Sequence, residues 1–152
     1  MKKVLMGILL VTCVVFGMTL VVQAATLEEA KALAEKGAIY VKANGKDKAI
    51  AEFNKADGEF TKGDLYVFLQ DFNGVILAHG GNPKLVGQSH LEVKDPTGKV
   101  FAKEMIEIVK SKGGGWVEYS WTNPATKKVQ PKKTWVQRVE GMDMYVGCGI
   151  FQ

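Results

Sequence analysis

The densest concentration of chemically useful side chains lies toward the C-terminus. Tyr119, Trp121, Lys133 and Trp135 fall on two neighbouring segments that read as antiparallel strands. Period-two alternation groups Tyr119 with Trp121, and Lys133 with Trp135. If the two rows share a face, they make a concave apolar surface carrying one ammonium. Such a surface suits a small organic anion. Aromatic walls exclude water, and a lysine neutralises a carboxylate strongly where the local dielectric is low. Spacing alone favours a plainer arrangement, in which the aromatics are core and Lys133 extends to solvent.

Other candidates for chemistry are few. His79 and His90 are the two histidines, and neither stands in an HExxH metal motif or a GxSxG elbow. Ser89 and His90 are adjacent, whereas a catalytic triad gathers from separate elements. His90 reads as a surface-loop residue. His79 ends a strand where a long loop begins, so a backbone-bonded strand end and a pocket role are both open to it. Asp57, Glu59, Glu104 and Glu107 read as solvated. Asp64, Asp71 and Asp95 sit beside Gly or Pro, where Asp caps turns. Gly113-Gly114-Gly115 leads into a strand, which is the wrong order for a phosphate loop. No CxxC and no His/Cys ligand cluster occurs, so zinc, c-type haem and thioredoxin-like chemistry are disfavoured. The expectation is a non-enzyme without cofactor or metal.

These residues need a scaffold, and the pattern supplies one. Thr26 and Glu29 have capping-box spacing. Leu27, Ala30, Ala34, Gly37 and Val41 then form one apolar stripe of a helix that runs to about Ala43 and ends at Asn44-Gly45. A short second helix is expected at Lys48–Lys55, with Asp47 as N-cap, and Gly58 to Gly63 as a connector. Leu65–Leu69 and Val75–His79 read as strands joined through Asp71-Phe72-Asn73-Gly74, a hairpin signal. Two registers remain open. A two-residue loop pairs Phe68 with His79, and a bulged three-residue loop pairs Val67 with His79, which exchanges the faces. A long connection from Gly80 to Thr97 follows, with a helical turn around Lys84–Val86. Phe101, Met105, Ile108 and Val109 mark a helix over Lys99–Lys112. Strands at Trp116–Trp121, Lys133–Val139 and Met144–Phe151 close the chain. The last carries Val146, Cys148 and Ile150 on one face, while Gly147 and Gly149 leave the other bare. The order predicts an α+β domain of the PAS-like kind, a five-stranded antiparallel sheet with a long N-terminal helix, a helical crossover and helices on one side.

The chain has 152 residues, a charge of +4 and 47% apolar content, values of one globular domain rather than a disordered segment. Met1-Lys2-Lys3 precedes an uncharged run from Val4 to Val22. Val22-Gln23-Ala24 then places small residues at −3 and −1 of a cleavage site. Residues 1–24 therefore read as a secretory signal peptide and 25–152 as the single domain of a periplasmic protein. The alternative is an uncleaved N-terminal anchor. Leu10-Val11-Thr12-Cys13 is a poor lipobox, because Thr12 is too large. Cleavage leaves 18 Lys and Arg against 16 Asp and Glu, a charge of +2. Lys127-Lys128 reads as a solvated turn, so nucleic-acid binding is disfavoured. Cys148 then stands alone and reads as a small buried hydrophobe.

One resemblance covers nearly the whole mature segment. It runs through Lys62-Gly63-Asp64-Leu65-Tyr66-Val67-Phe68, Asp71-Phe72-Asn73-Gly74, Ala78-His79 and Asn82-Pro83-Lys84-Leu85-Val86-Gly87. It continues through Asp95, Gly98-Lys99, Gly115-Trp116-Val117, Tyr119-Ser120-Trp121, Asn123-Pro124, Lys133-Thr134-Trp135-Val136 and Gly147-Cys148-Gly149. In this order the chain resembles the single Cache domain family, type 2, extracytoplasmic PAS-like sensor modules of bacteria. The resemblance implies binding of short carboxylates of the acetate, propionate, pyruvate or lactate class. It implies a pocket of His79, Trp116, Tyr119, Trp121, Lys133 and Trp135, with Tyr66 and Phe68 as further walls and Lys133 on the carboxylate. Gly80 stands where proline is common in the family, and Trp135 where tyrosine is frequent. Family members usually feed a chemoreceptor or kinase, and here the chain ends at Gln152.

The leading expectation is thus an exported binding protein for a small organic acid, with a role in signal transduction or chemotaxis through a separate membrane sensor partner. The alternative is a protein-interaction module that docks on a receptor or kinase with no ligand of its own. A hydrolase or redox enzyme is disfavoured by the lack of a nucleophile–base pair.

Overall fold

The computed structural model describes residues 25–152. The signal-peptide expectation for residues 1–24, with Cys13, lies outside the described residues. Helix α1, Leu27–Asn44, is closed at its start by the expected reciprocal cap between Thr26 and Glu29. Its stripe of Ala30, Ala34, Gly37, Ala38 and Val41 is buried. Small side chains let the helix lie close to the sheet, and a Cβ at Gly37 would come within 2.9 Å of Val146. Gly45, at φ 85°, breaks the helix, and α2, Lys46–Phe53, starts at once. The cap of α2 is therefore Gly45 and not Asp47. Among the described residues no helix is long and apolar enough to cross a membrane.

The sheet has six antiparallel strands rather than five. They are β1 (Thr61–Lys62), β2 (Leu65–Asp71), β3 (Ile76–His79), β4 (Gly114–Thr122), β5 (Val129–Arg138) and β6 (Met144–Phe151). The order is β1-β2-β6-β5-β4, with β3 also paired to β2. The additional strand is two polar residues that pair Thr61 with Tyr66 through a turn at Gly63. That is too short for any periodicity to reveal.

Helices cover both faces, which corrects the one-sided expectation. On one side α1 and α2 pack over Val67, Leu69, Val146 and Cys148. On the other, helix α3, Phe101–Lys112, packs over Phe68, Val117, Val136 and Tyr145. The central strands β2 and β6 carry apolar side chains on both faces, and each face needs its own cover. Cys148 is fully buried on the α1 side, and burial pushes its thiol up to about 12, which leaves it inert.

The hairpin register resolves as Phe68 opposite His79, with a bulge between Leu69 and Gln70. The Asp71 carboxylate accepts the N–H groups of Asn73 and Val75, and Gly74 takes φ 82°. His79 therefore shares the α3 face with Phe68.

Across β6, Gly147 opposes Phe68 and Gly149 opposes Thr134. The bare strand is what admits the Phe68 ring, since a Cβ at Gly147 would overlap it. Gly147→Ala should cost about 2 kcal/mol by overpacking, read as a lower urea midpoint at unchanged slope.

Candidate functional site

On the α3 face the chain leaves a small cavity of about 20 Å³. Its wall includes Phe68, His79, Tyr119 and Trp121 from the sheet, and Phe101 and Met105 from α3. That volume admits about one water, so a two- or three-carbon guest has to displace side chains. Phe101 stacks on Tyr119 at 4.5 Å, and Trp121 meets Phe101 edge-on at 5.3 Å.

The cation of this face is Lys132. The β4–β5 register pairs Trp116 with Trp135, Glu118 with Lys133 and Tyr119 with Lys132. Lys132 is 2% exposed and donates to the Tyr66 hydroxyl at 2.7 Å. Its ammonium lies against the rings of Tyr66 and Phe151, 4.2 and 4.7 Å from their centroids. Among the described residues no carboxylate lies within 4 Å of it. Burial without a counter-charge pushes the Lys132 amine down to about 7. Tyr66, with its hydroxyl on this amine, packs its ring 5.0 Å from that of His79.

His79 is 4% exposed and sits between Tyr66 and Phe68. Its Nδ1 accepts the Asn82 N–H at 2.9 Å, which leaves the proton on Nε2. Burial first, and the Lys132 charge second, push the imidazole down to about 3. His79 is thus a neutral donor that is bonded to backbone at its strand end and lines the cavity.

The expected pocket divides between two faces. Tyr66, Phe68, His79, Tyr119 and Trp121 gather on the α3 side. Trp116, Lys133 and Trp135 lie on the α1 side, because the pairing differs by one residue from the one that would join the two rows. Trp116 and Trp135 meet edge-on at 5.3 Å beneath α1. Lys133 is an outer lysine, paired with Glu118 at 2.7 Å. The plainer arrangement of Lys133 is the one that holds.

Sequence reasoning missed Phe101 and Met105 in the wall of this cavity and Lys132 on the same sheet face, and it misplaced His90. His90 is buried, with its N–H on the Gly74 carbonyl and its ring 5.5 Å from Trp121. The expected strand starts at Lys133, which leaves Lys132 outside it, whereas β5 begins at Val129 and carries Lys132 in one row with Thr134 and Val136.

The long connection is tied down by Asp95. Its carboxylate accepts from Thr97 N–H and hydroxyl, from Lys99 N–H and from Ser120 N–H on β4. The Thr97 hydroxyl foremost, then the backbone donors, hold it down to about 2. Gly80 and Gly81 let the chain pass over Tyr66, where a Cβ at Gly81 would lie 2.7 Å from the ring.

Comparison with known proteins places these features in context. A family model described as Single Cache domain 2 matches residues 18–152. The methyl-accepting chemotaxis protein McpP of Pseudomonas putida is 26% identical over 88 residues, 58% of this chain and 16% of that protein. The sensor histidine kinase MctS of Rhizobium johnstonii is 30% identical over 88 residues, 58% of this chain and 19% of that protein. The chain thus spans less than a fifth of the length of either curated relative. One solved structure is described as the structural basis for carboxylic acid recognition by a Cache chemosensory domain. It superposes with a TM-score of 0.65 at 28% identity, over 82% of this chain and 86% of that one.

His79 gives the site a pH signature. Between pH 6.5 and about 3 the unfolded chain binds a proton that the folded imidazole refuses. Stability from this group is full above pH 6.5 and falls as pH drops through that window. Urea titrations of the wild type and His79→Gln should diverge by up to about 1.4 kcal/mol per pH unit there, with the wild type losing more.

Proposed function

Because the chain belongs to the single Cache domain 2 family, whose members are extracytoplasmic sensor domains of chemoreceptors and kinases, we propose that it is a periplasmic, non-catalytic binding module for a small organic acid. The expected PAS-like α+β architecture is that of the family. The ligand class is acetate, propionate, pyruvate or lactate, and signalling passes through a separate membrane sensor. Residues 1–24 act as the cleaved export signal.

One observation carries the reading. Lys132 is a buried amine with no carboxylate partner among the described residues, on the face where Tyr66, His79 and Tyr119 present polar hydrogens. Leaving a charge in that state is costly, and an anion relieves the cost. A carboxylate accepts from Lys132 and from a phenol or the His79 Nε2–H, while Phe68, Phe101 and Trp121 bound the alkyl part. The small cavity favours short chains.

A second reading has its own observation. Ile39 on α1 is 69% exposed and lines a groove with Ala38, Lys42 and Arg138. That edge suits docking on another protein, and light scattering that shows a stable dimer or a complex with a sensor domain would support it.

Calorimetry of the purified protein with the four acids tests the first reading. At least one acid should bind one to one. Lys132→Met should weaken it by about 1.5–3 kcal/mol, the worth of a charged hydrogen bond, and Lys133→Gln should leave it unchanged. A folded protein that binds none of the four rejects the acid-binding assignment.

A further inference from the structure

Beside the small inner cavity lies a much larger groove of about 580 Å³, between the Gly81–Leu85 turn and the β4–β5 hairpin. Its lining contains Lys84 and Lys127 and no acidic residue. Among the described residues neither lysine is in an ion pair. Lys127 is also the one described non-glycine residue with positive φ, at 60°. The hairpin holds it there, with its N–H on the Asn123 carbonyl. The lysine that reads from sequence as part of a solvated turn thus borders a groove of one charge sign.

The groove and the inner cavity share two lining residues, His79 and Trp121. His79 is fixed by the Asn82 N–H. Trp121 is held differently. Its neighbours are rings, namely Phe101, Tyr119 and His90. The indole of Trp135 donates to Gln137, whereas among the described residues the Trp121 indole has no hydrogen-bond partner, and it is not sealed from solvent. Among the described residues no side-chain hydrogen bond fixes the Trp121 indole, which stands at the boundary of the two spaces.

We infer that the outer groove is an anion-collecting vestibule for the buried site, with Lys84 and Lys127 drawing a carboxylate in and Trp121 as the swinging partition. This rests on the acid-binding reading above. Two lysines at a mouth raise the local anion concentration and the encounter rate, and salt screens the effect. Neither lysine holds the bound acid, since that contact belongs to Lys132 within.

Stopped-flow tryptophan fluorescence with acetate, propionate, pyruvate and lactate, each run separately, tests the route. In Lys84→Gln/Lys127→Gln the association rate constant should fall about threefold at 10 mM salt and match wild type at 0.5 M, at an unchanged dissociation rate. Trp121→Ala should raise both rates together. An association rate unaffected at 10 mM, or a loss confined to dissociation, overturns the vestibule while acid binding stands. A wild-type protein that binds none of the four acids overturns the site reading, and the route with it.

Discussion

The pairing of Trp116 with Trp135 governs the chemistry of the whole sheet. Once it is set, strand alternation leaves no freedom. Glu118 must face Lys133, and Tyr119 must face Lys132. One lysine is neutralised at the edge of the α1 side. Its neighbour is carried into the α3 side among aromatic rings, with no carboxylate partner. A shift of a single residue would exchange the two, carrying Lys133 onto the α3 side in place of Lys132 and separating it from Glu118.

Lys132 is tolerated because several weak attractions surround it. A phenol oxygen accepts its hydrogen, and two ring faces offer their negative quadrupoles. None of them carries a full negative charge, so burial still pushes the amine down to about 7. The nearby imidazole does not add a second cation, since it stays neutral well into the acid range. The face therefore offers at most one positive charge together with neutral donors. That is the complement of a monocarboxylate rather than of a dianion.

The cover over this face is built to different standards in different places. Asp95 binds the long connection to β4 through a carboxylate that four donors keep ionised. The Asn82 side chain caps the turn at Pro83–Leu85. Trp121 is held by ring contacts alone. Hydrogen-bonded anchors thus flank an indole that has no hydrogen-bond partner among the described residues.

Much of the scaffold was legible. The α1 stripe, its capping box, the Gly74 turn, α3 and the bare face of β6 follow from local spacing and backbone sterics, which depend on neighbours in the chain. Parity along one strand, which is local, grouped Tyr119 with Trp121, whereas Tyr66, Phe68 and His79 entered through the family resemblance and the hairpin register left the face of His79 open. Three things were not legible. β1 is too short to show a period. Burial of His90 depends on Phe101 and Trp121, which meet it from other elements. The choice between Lys132 and Lys133 depends on how the Asn123–Lys128 turn sets two strands against each other. Sequence by itself determined the elements, the α+β class and a lysine-bearing aromatic strand pair. Tertiary structure decided which lysine is buried, because strand register is a long-range property and one residue of slip turns every side chain to the opposite face.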